Sequence, residues 1–385
     1  MMNFVHVSDT HLGASNFKLK KREDDFLDSF KQVVDYCIKE KPDFIIHSGD
    51  LFDKGKPGNK VLLFTVKQLI KLKEKGIPLL ITPGSHDVSV DGTLLTILEK
   101  VGLLTNVSKP ENYVKGKNHV LMKGEEAGGA VIYGLPGRRA NIKEVYESIK
   151  PEPNDKFKIF MFHHITTNIK DTEFFADIPL SSLPKGMDYY AGGHWHEHES
   201  FSYQGKPVVY PGSTEYGDTR SMERHKPRGF IHYKNGEPEF IELNTRGVVV
   251  KRVDCNNLTP EEATSKCLDS LSKEGGDSLI VLKLKGVLSS GRRNMIDTSL
   301  IKKQAVSNDY LYCNVRLSGL KNPSEKKINT NSKGVNEIEQ EHLRAKGYSE
   351  PEVKLARQLI NLLGNDYTPS ELPKALEKAG ELIDN

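Results

Sequence analysis

The sequence predicts an α/β protein built in layers, followed by a small α+β domain and a C-terminal helical segment. Three observations carry that prediction. Short apolar runs of strand length alternate with helix-period patterns through residues 1–243. A polar stretch then sets the last residues apart from the rest. The length of 385 residues, with 37% hydrophobic and 28% charged residues, suits a soluble chain of two or three domains.

Residues 4–7 (Phe-Val-His-Val) read as a buried strand. Phe26, Phe30, Val33, Val34 and Cys37 recur at helical spacing after it. Residues 44–46 form a second apolar run, residues 61–72 a helix, and residues 78–81 a third strand. Leu94, Leu95, Ile97, Leu98, Val101, Leu103 and Leu104 predict a helix more apolar than one face needs. Further strands fall at residues 130–133, 159–162, 189–191, 208–210 and 229–233.

A second domain is expected over residues 244–320. Val248-Val249-Val250 starts a strand, Thr259-Pro260-Glu261-Glu262 carries a helix-capping signature, and two more strands lie at 279–284 and 311–317. Residues 321–335 read as a flexible linker. Residues 336–385 read as helical, with Leu355, Leu359, Leu362 and Leu363 on one face and Leu372, Leu376, Ala379 and Ile383 on another. Helices this few need a partner to bury their apolar faces.

Net charge is +3, but residues 336–385 hold six Lys/Arg against ten Asp/Glu, so the excess of positive charge sits in the body. That points mildly to an anionic partner. Cys37, Cys255, Cys267 and Cys313 are far apart and form no CxxC or zinc spacing. No run is apolar enough for a membrane span, and the N-terminus lacks a leader pattern, so the expected location is the cytoplasm.

The chemistry sits where the strands end. The first strand runs into Asp9-Thr10-His11 and the second into Gly49-Asp50, with Asp53 behind. The third runs into Gly84-Ser85-His86-Asp87. Later strands run into His163-His164 and Gly193-His194-Trp195-His196. In open α/β sheets ligands bind at the carboxyl ends of strands. Clustered carboxylates and imidazoles are costly unless cations hold them. A mixed N and O donor set without sulfur favours Mn, Fe, Zn or Mg, and there are donors enough for two divalent ions sharing one carboxylate.

In order and spacing these motifs resemble the calcineurin-like metallophosphoesterases. Within them the match is nearest to the archaeal SbcD-type DNA double-strand-break-repair nucleases (meiotic recombination eleven homologues). His11-Leu12-Gly13, residues 49–53 (Gly-Asp-Leu-Phe-Asp) and residues 210–213 (Tyr-Pro-Gly-Ser) add to the likeness, as does the domain order. The resemblance implies a calcineurin-like layered sheet core with an α+β capping domain facing DNA. It implies that Asp9, His11 and His196 hold one ion, that His163 and His194 hold the other, and that Asp50 bridges. The family places an Asn where this chain has Ser85, a shorter and poorer donor. The resemblance further implies His86 as the general acid, with Asp53 and Asp87 orienting imidazoles. It also implies two Mn ions, 3′→5′ exonuclease and single-strand endonuclease activity, a homodimer, and a coiled-coil ABC-type ATPase of the SbcC family bound by residues 336–385.

Two alternatives share the motifs: a non-catalytic DNA-end tether, and a phosphomonoesterase or cyclic-nucleotide phosphodiesterase. Arg138-Arg139 after Gly-Leu-Pro-Gly, and Arg292-Arg293 after Ser-Ser-Gly, are candidate DNA contacts, because paired Arg can grip phosphate bidentately. Lys18, Lys20, Lys21 and Arg22 are expected as a solvated helix entry. His6, His47 and His232 are expected as sheet residues, and Trp195 as a packing residue between two ligands.

Overall fold

The computed structural model describes residues 2–87, 94–117, 119–137, 141–169, 176–273, 275–323, 340, 342–363 and 376–381. The chain divides into two compact units, residues 1–248 and 249–385.

The first unit is made of two six-stranded mixed sheets with helices outside them. One sheet is built on β1 (Phe4–Val7), β2 (Phe44–His47), β3 (Leu79–Ile81) and β4 (Thr105–Asn106), all parallel. Helices α1 (Lys20–Glu40), α2 (Asn59–Glu74) and α3 (Leu94–Lys100) connect them. The other sheet is built on β8 (Ala130–Leu135), β10 (Phe157–Phe162), β11 (Tyr189–Gly192) and β13 (Lys206–Tyr210), again parallel, with antiparallel β7 (Glu125–Ala127) and β12 (Glu199–Tyr203) at its edges and α4 (Ile142–Ser148) following β8. β14 (Gly229–Lys234), antiparallel to β1, and β15 (Glu237–Glu242), antiparallel to β14, extend the first sheet. A small third sheet of β5 (Tyr113–Lys115), β6 (Val120–Met122) and β9 (Ile149–Pro151) completes the unit.

Strand alternation assigns each side chain to a layer. Phe4, Phe44, Ile46 and Leu80 meet Ile159, Met161, Tyr189 and Ala191 between the sheets. Val5, Val7, Ile45 and Ile81 face α1 and α2, packing with Phe30, Val33, Val34 and Leu69. Phe160, Phe162 and Tyr190 turn to the opposite side of the second sheet. Both faces of the parallel strands are covered, which is why they read as nearly continuous apolar runs. Burying each such side chain contributes roughly 1.5–3 kcal/mol.

Two sequence expectations need correction here. The helix expected through Leu104 stops at Lys100, because Gly102 turns the backbone at φ +69° and Leu104 drops into the core. Arg22 is not solvated. It is fully buried, ion-paired to Asp25 and Glu215, and donates to the Tyr216 carbonyl.

The second unit has a three-stranded sheet of β16 (Val248–Asp254), β17 (Leu279–Val287) and β18 (Tyr312–Lys321). Helices α6 (Pro260–Ser270) and α7 (Thr298–Ser307) join its strands, and Thr259 with Glu262 forms the expected capping box on α6. Residues 324–339, which hold most of the expected linker, lie outside the described residues. Further on, α8 (Glu350–Leu363) is an amphipathic helix. Among the described residues no helix is long and apolar enough to cross a membrane.

Candidate metal centre

The parallel strands of both sheets end at one rim, and the loops beyond them carry the chemistry. Asp9 and His11 follow β1, Asp50 follows β2, His86 follows β3, His163 follows β10, and His194 and His196 follow β11. Four of these residues, Asp9, His11, Asp50 and His194, sit at positive φ (51°, 43°, 57° and 79°). For non-glycine residues that costs about 1–2 kcal/mol each, which the surrounding structure must offset. Neighbouring glycines make the turns possible. A side chain at Gly49 or Gly193 would strike the His163 ring, and one at Gly84 would strike Asp50.

Two groups of donors lie deepest, and a third, His11 with Asp53 and His86, forms at the open side. Asp9, His11 and His196 bring one ligand atom each within 4.8 Å of one another, and Asp50, His163 and His194 do the same. Asp50 also reaches the first group, with Oδ2 3.9 Å from His11 Nε2. Ser85 stands at the edge of the second group, its hydroxyl 3.5 Å from Asp50 Oδ2. Asp9 accepts the His194 backbone N–H at 3.1 and 3.2 Å, which ties the groups together.

The side chains fit divalent cations. His11 Nε2 and His196 Nε2 approach to 3.2 Å, so one donates to the other in the absence of an ion, and both lone pairs can turn to a shared cation when one is present. Asp9 and Asp50 are buried, and among the described residues their ion pairs are with imidazoles alone. His163 Nδ1 lies 2.8 Å from the Ser48 carbonyl, which can only accept, so Nδ1 carries the proton and Nε2 is left facing Asp50 at 3.1 Å.

Electrostatics separate the two groups. Burial pushes the His163 imidazole down, but the Asp50 carboxylate outweighs it and holds the pKa up to about 9. Burial pushes Asp50 up, and the charge and hydrogen bond of His163 outweigh that, holding it well below the usual carboxylate range. His11 goes the other way, its pKa pushed well below ordinary by burial and then by His196.

His86 lies at the open side, exposed, its ring edge-on to His11 at 4.9 Å between centroids. Its Nδ1 sits 2.8 Å from the Asp53 carbonyl, which leaves Nε2 free to exchange a proton. Asp53 therefore touches imidazoles twice, since its carboxylate is also 3.7 Å from His11 Nδ1. Asp87 does not orient an imidazole. Its carboxylate accepts the backbone N–H groups of Leu51, Phe52 and Gly84, stapling the loops that carry Asp50 and His86. Burial and then Asp50 push its pKa up to about 6.

Arg138 and Arg139 lie outside the described residues. Arg292 and Arg293 are exposed in the second unit, where the Arg293 guanidinium donates to the Leu320 carbonyl. His6 is fully buried between the Tyr189 and Ser48 hydroxyls, and His47 bonds Thr10.

The sequence reading missed Arg228. Its buried guanidinium donates to the His196 carbonyl and stacks 4.6 Å from the Tyr216 ring, which fixes the His196 loop from behind. An Arg in a charged stretch carries no sequence signal of burial. Helix α5 (Thr219–Arg224) was also missed, although Asp218 and Ser221 form a capping box for it.

A family model described as calcineurin-like phosphoesterase matches residues 2–198. The chain is similar to the DNA double-strand break repair protein Mre11 of Sulfurisphaera tokodaii, 28% identical over 97% of this chain and 96% of that protein. The like-named protein of Saccharolobus solfataricus is 28% identical over 98% and 99% of the two chains. That of Methanococcus maripaludis is 26% identical over 90% and 91%.

Proposed function

This chain belongs to the calcineurin-like phosphoesterase family, and from that premise we propose that it is a Mn-dependent DNA nuclease processing double-strand-break ends. The activities proposed are 3′→5′ exonuclease and single-strand endonuclease. The observation that supports this most is the pair of adjacent donor groups sharing Asp50, with His86 at their open side. Two divalent ions held there would lower the pKa of water and neutralise the charge of a phosphodiester.

The chain's own residues do the rest. Asp9, His11 and His196 would hold one ion, and His163 and His194 the other, with Asp50 near enough to serve both. His86 Nε2 hands a proton to the departing alkoxide, while the Asp53 carbonyl keeps the ring turned. Asp87 fixes the spacing of the Asp50 and His86 loops through three backbone bonds. The similarity to Mre11 proteins over most of both chains favours DNA over a small phosphomonoester.

Partners follow the same reading. Leu63 on α2, Ile97 on α3 and Val101 just beyond its end are 57–60% exposed, which supports a homodimer through these helices. Tyr348, Ile360 and Leu376 are exposed in residues 336–385, which supports docking of that segment on a coiled-coil ABC-type ATPase of the SbcC family. The second unit would face DNA, with Arg292 and Arg293 as contacts.

The test is cleavage of end-labelled duplex and single-stranded DNA across a panel of divalent metals. Cleavage strongest in Mn and abolished by excess chelator is expected. DNA binding without cleavage in any metal would instead mark a tether. Turnover of a small chromogenic phosphodiester without DNA cleavage would mark a small-molecule phosphodiesterase.

A further inference from the structure

A cleft of about 160 Å³ opens beside the rim, where His194 and His196 form part of its wall together with Trp195, Arg220, Arg224 and the carboxylates of Glu197, which pairs with Arg224, and Asp218, which caps α5. Whole-ligand pockets run to roughly 300–1,000 Å³, so this one suits a single flat ring. The sequence reading took Trp195 as packing. Part of its indole does pack against the core beside the second sheet, but the residue is only half-buried and the rest forms the cleft wall.

The cleft is built. The Arg224 guanidinium lies over the indole, 5.5 Å from the ring centre. Arg224 is itself held by Glu197 at 2.9 Å, and Glu197 is buried. Arg220 stands four residues earlier on α5, hence on the same face, and is exposed. The Asp218–Ser221 capping box fixes the start of that helix. Nothing in holding the ions requires an aromatic ring and two guanidinium groups here.

An aromatic ring flanked by cations beside a phosphodiester centre is the chemistry that holds single-stranded nucleic acid without reading its sequence. We propose that this cleft binds the nucleotide adjacent to the scissile phosphate, its base stacked on Trp195 and its phosphate on Arg220. The inference rests on the nuclease reading above and names the strand conformation that reading leaves open: one unpaired nucleotide must enter the cleft.

Trp195 is the only tryptophan in the chain, so its fluorescence reports on the site directly. The probe is unlabelled oligo(dT), titrated into full-length protein in chelator, where binding is read without cleavage. Saturable quenching is expected, and Arg220→Ala should shift its midpoint upward about 10-fold, the scale of one lost contact to a stacked nucleotide. In Mn, Trp195→Ala should lower the ratio of kcat/KM for oligo(dT) to that for bis(p-nitrophenyl) phosphate about 10-fold, and Trp195→Phe should restore it. Anisotropy of a labelled oligonucleotide supplies an independent measure of binding. If the oligonucleotide binds and is cut while Trp195 emission and the Arg220→Ala midpoint stay unmoved, the cleft proposal falls and the nuclease reading stands. If it is neither bound nor cut, both fall.

Discussion

The two donor groups at the rim hold similar residues in different states. Asp50 and His163 are buried and already neutralise each other at 3.1 Å. The group of Asp9, His11 and His196 is more open, His196 being 36% exposed, and its buried His11 is pushed toward the neutral form that binds cations. The first group is thus prepared for an ion, whereas the second must give up a proton to receive one. The second also has the Ser85 hydroxyl at its edge, a shorter and poorer donor than a carboxamide. The sign follows from His163. Its raised pKa stabilises the metal-free fold fully below pH 6.5, and that contribution is lost as pH climbs through about 9. Affinity for the second ion should rise over the same interval.

The largest expected effect separates chemistry from both groups. His86→Ala should cut turnover by roughly 10²–10⁴-fold, the usual worth of a general acid or base, with metal stoichiometry and DNA affinity unchanged. Steady-state kinetics beside metal titration would show this. Normal turnover with lost DNA binding would assign His86 to phosphate contact instead. Ser85→Asn should sharpen the contrast from the other side, tightening only the weaker metal step by about 10–100-fold and raising cleavage at limiting Mn. Arg228→Lys keeps the charge but loses the guanidinium fork that grips the His196 carbonyl. It should weaken the first step alone, by about 10-fold, as seen by calorimetry.

How much of this is legible in sequence depends on burial. The strands were readable because two covered faces leave them almost wholly apolar, as in Phe4–Val7, broken by His6 alone, and Phe157–Phe162, broken by Lys158 alone. Asp9, His11, Asp50, His163, His194 and His196 could be named because each follows such a run. Their division between two sheets, rather than one, could not, since pairing is decided by contacts distant in sequence, such as Phe4 against Tyr189. Short edge strands such as Tyr113–Lys115 carry too few residues for a period to emerge. Arg22 read as solvated and Arg228 was passed over, because an Arg in a charged stretch gives no hint of the carboxylate or carbonyl that will bury it. The positive φ of Asp9, His11, Asp50 and His194 was equally silent, because glycine marks such positions and these are not glycine.

The inequality of the two halves is the central claim, and calorimetric titration of Mn into metal-free protein at pH 7 tests it most directly. Two separated steps are expected, the weaker one releasing about one proton when repeated in buffers of different ionisation enthalpy. Raising the pH toward 9 should tighten that step by up to about 10-fold per unit. Two equally tight steps at pH 7 with no proton released would contradict it, as would a single step.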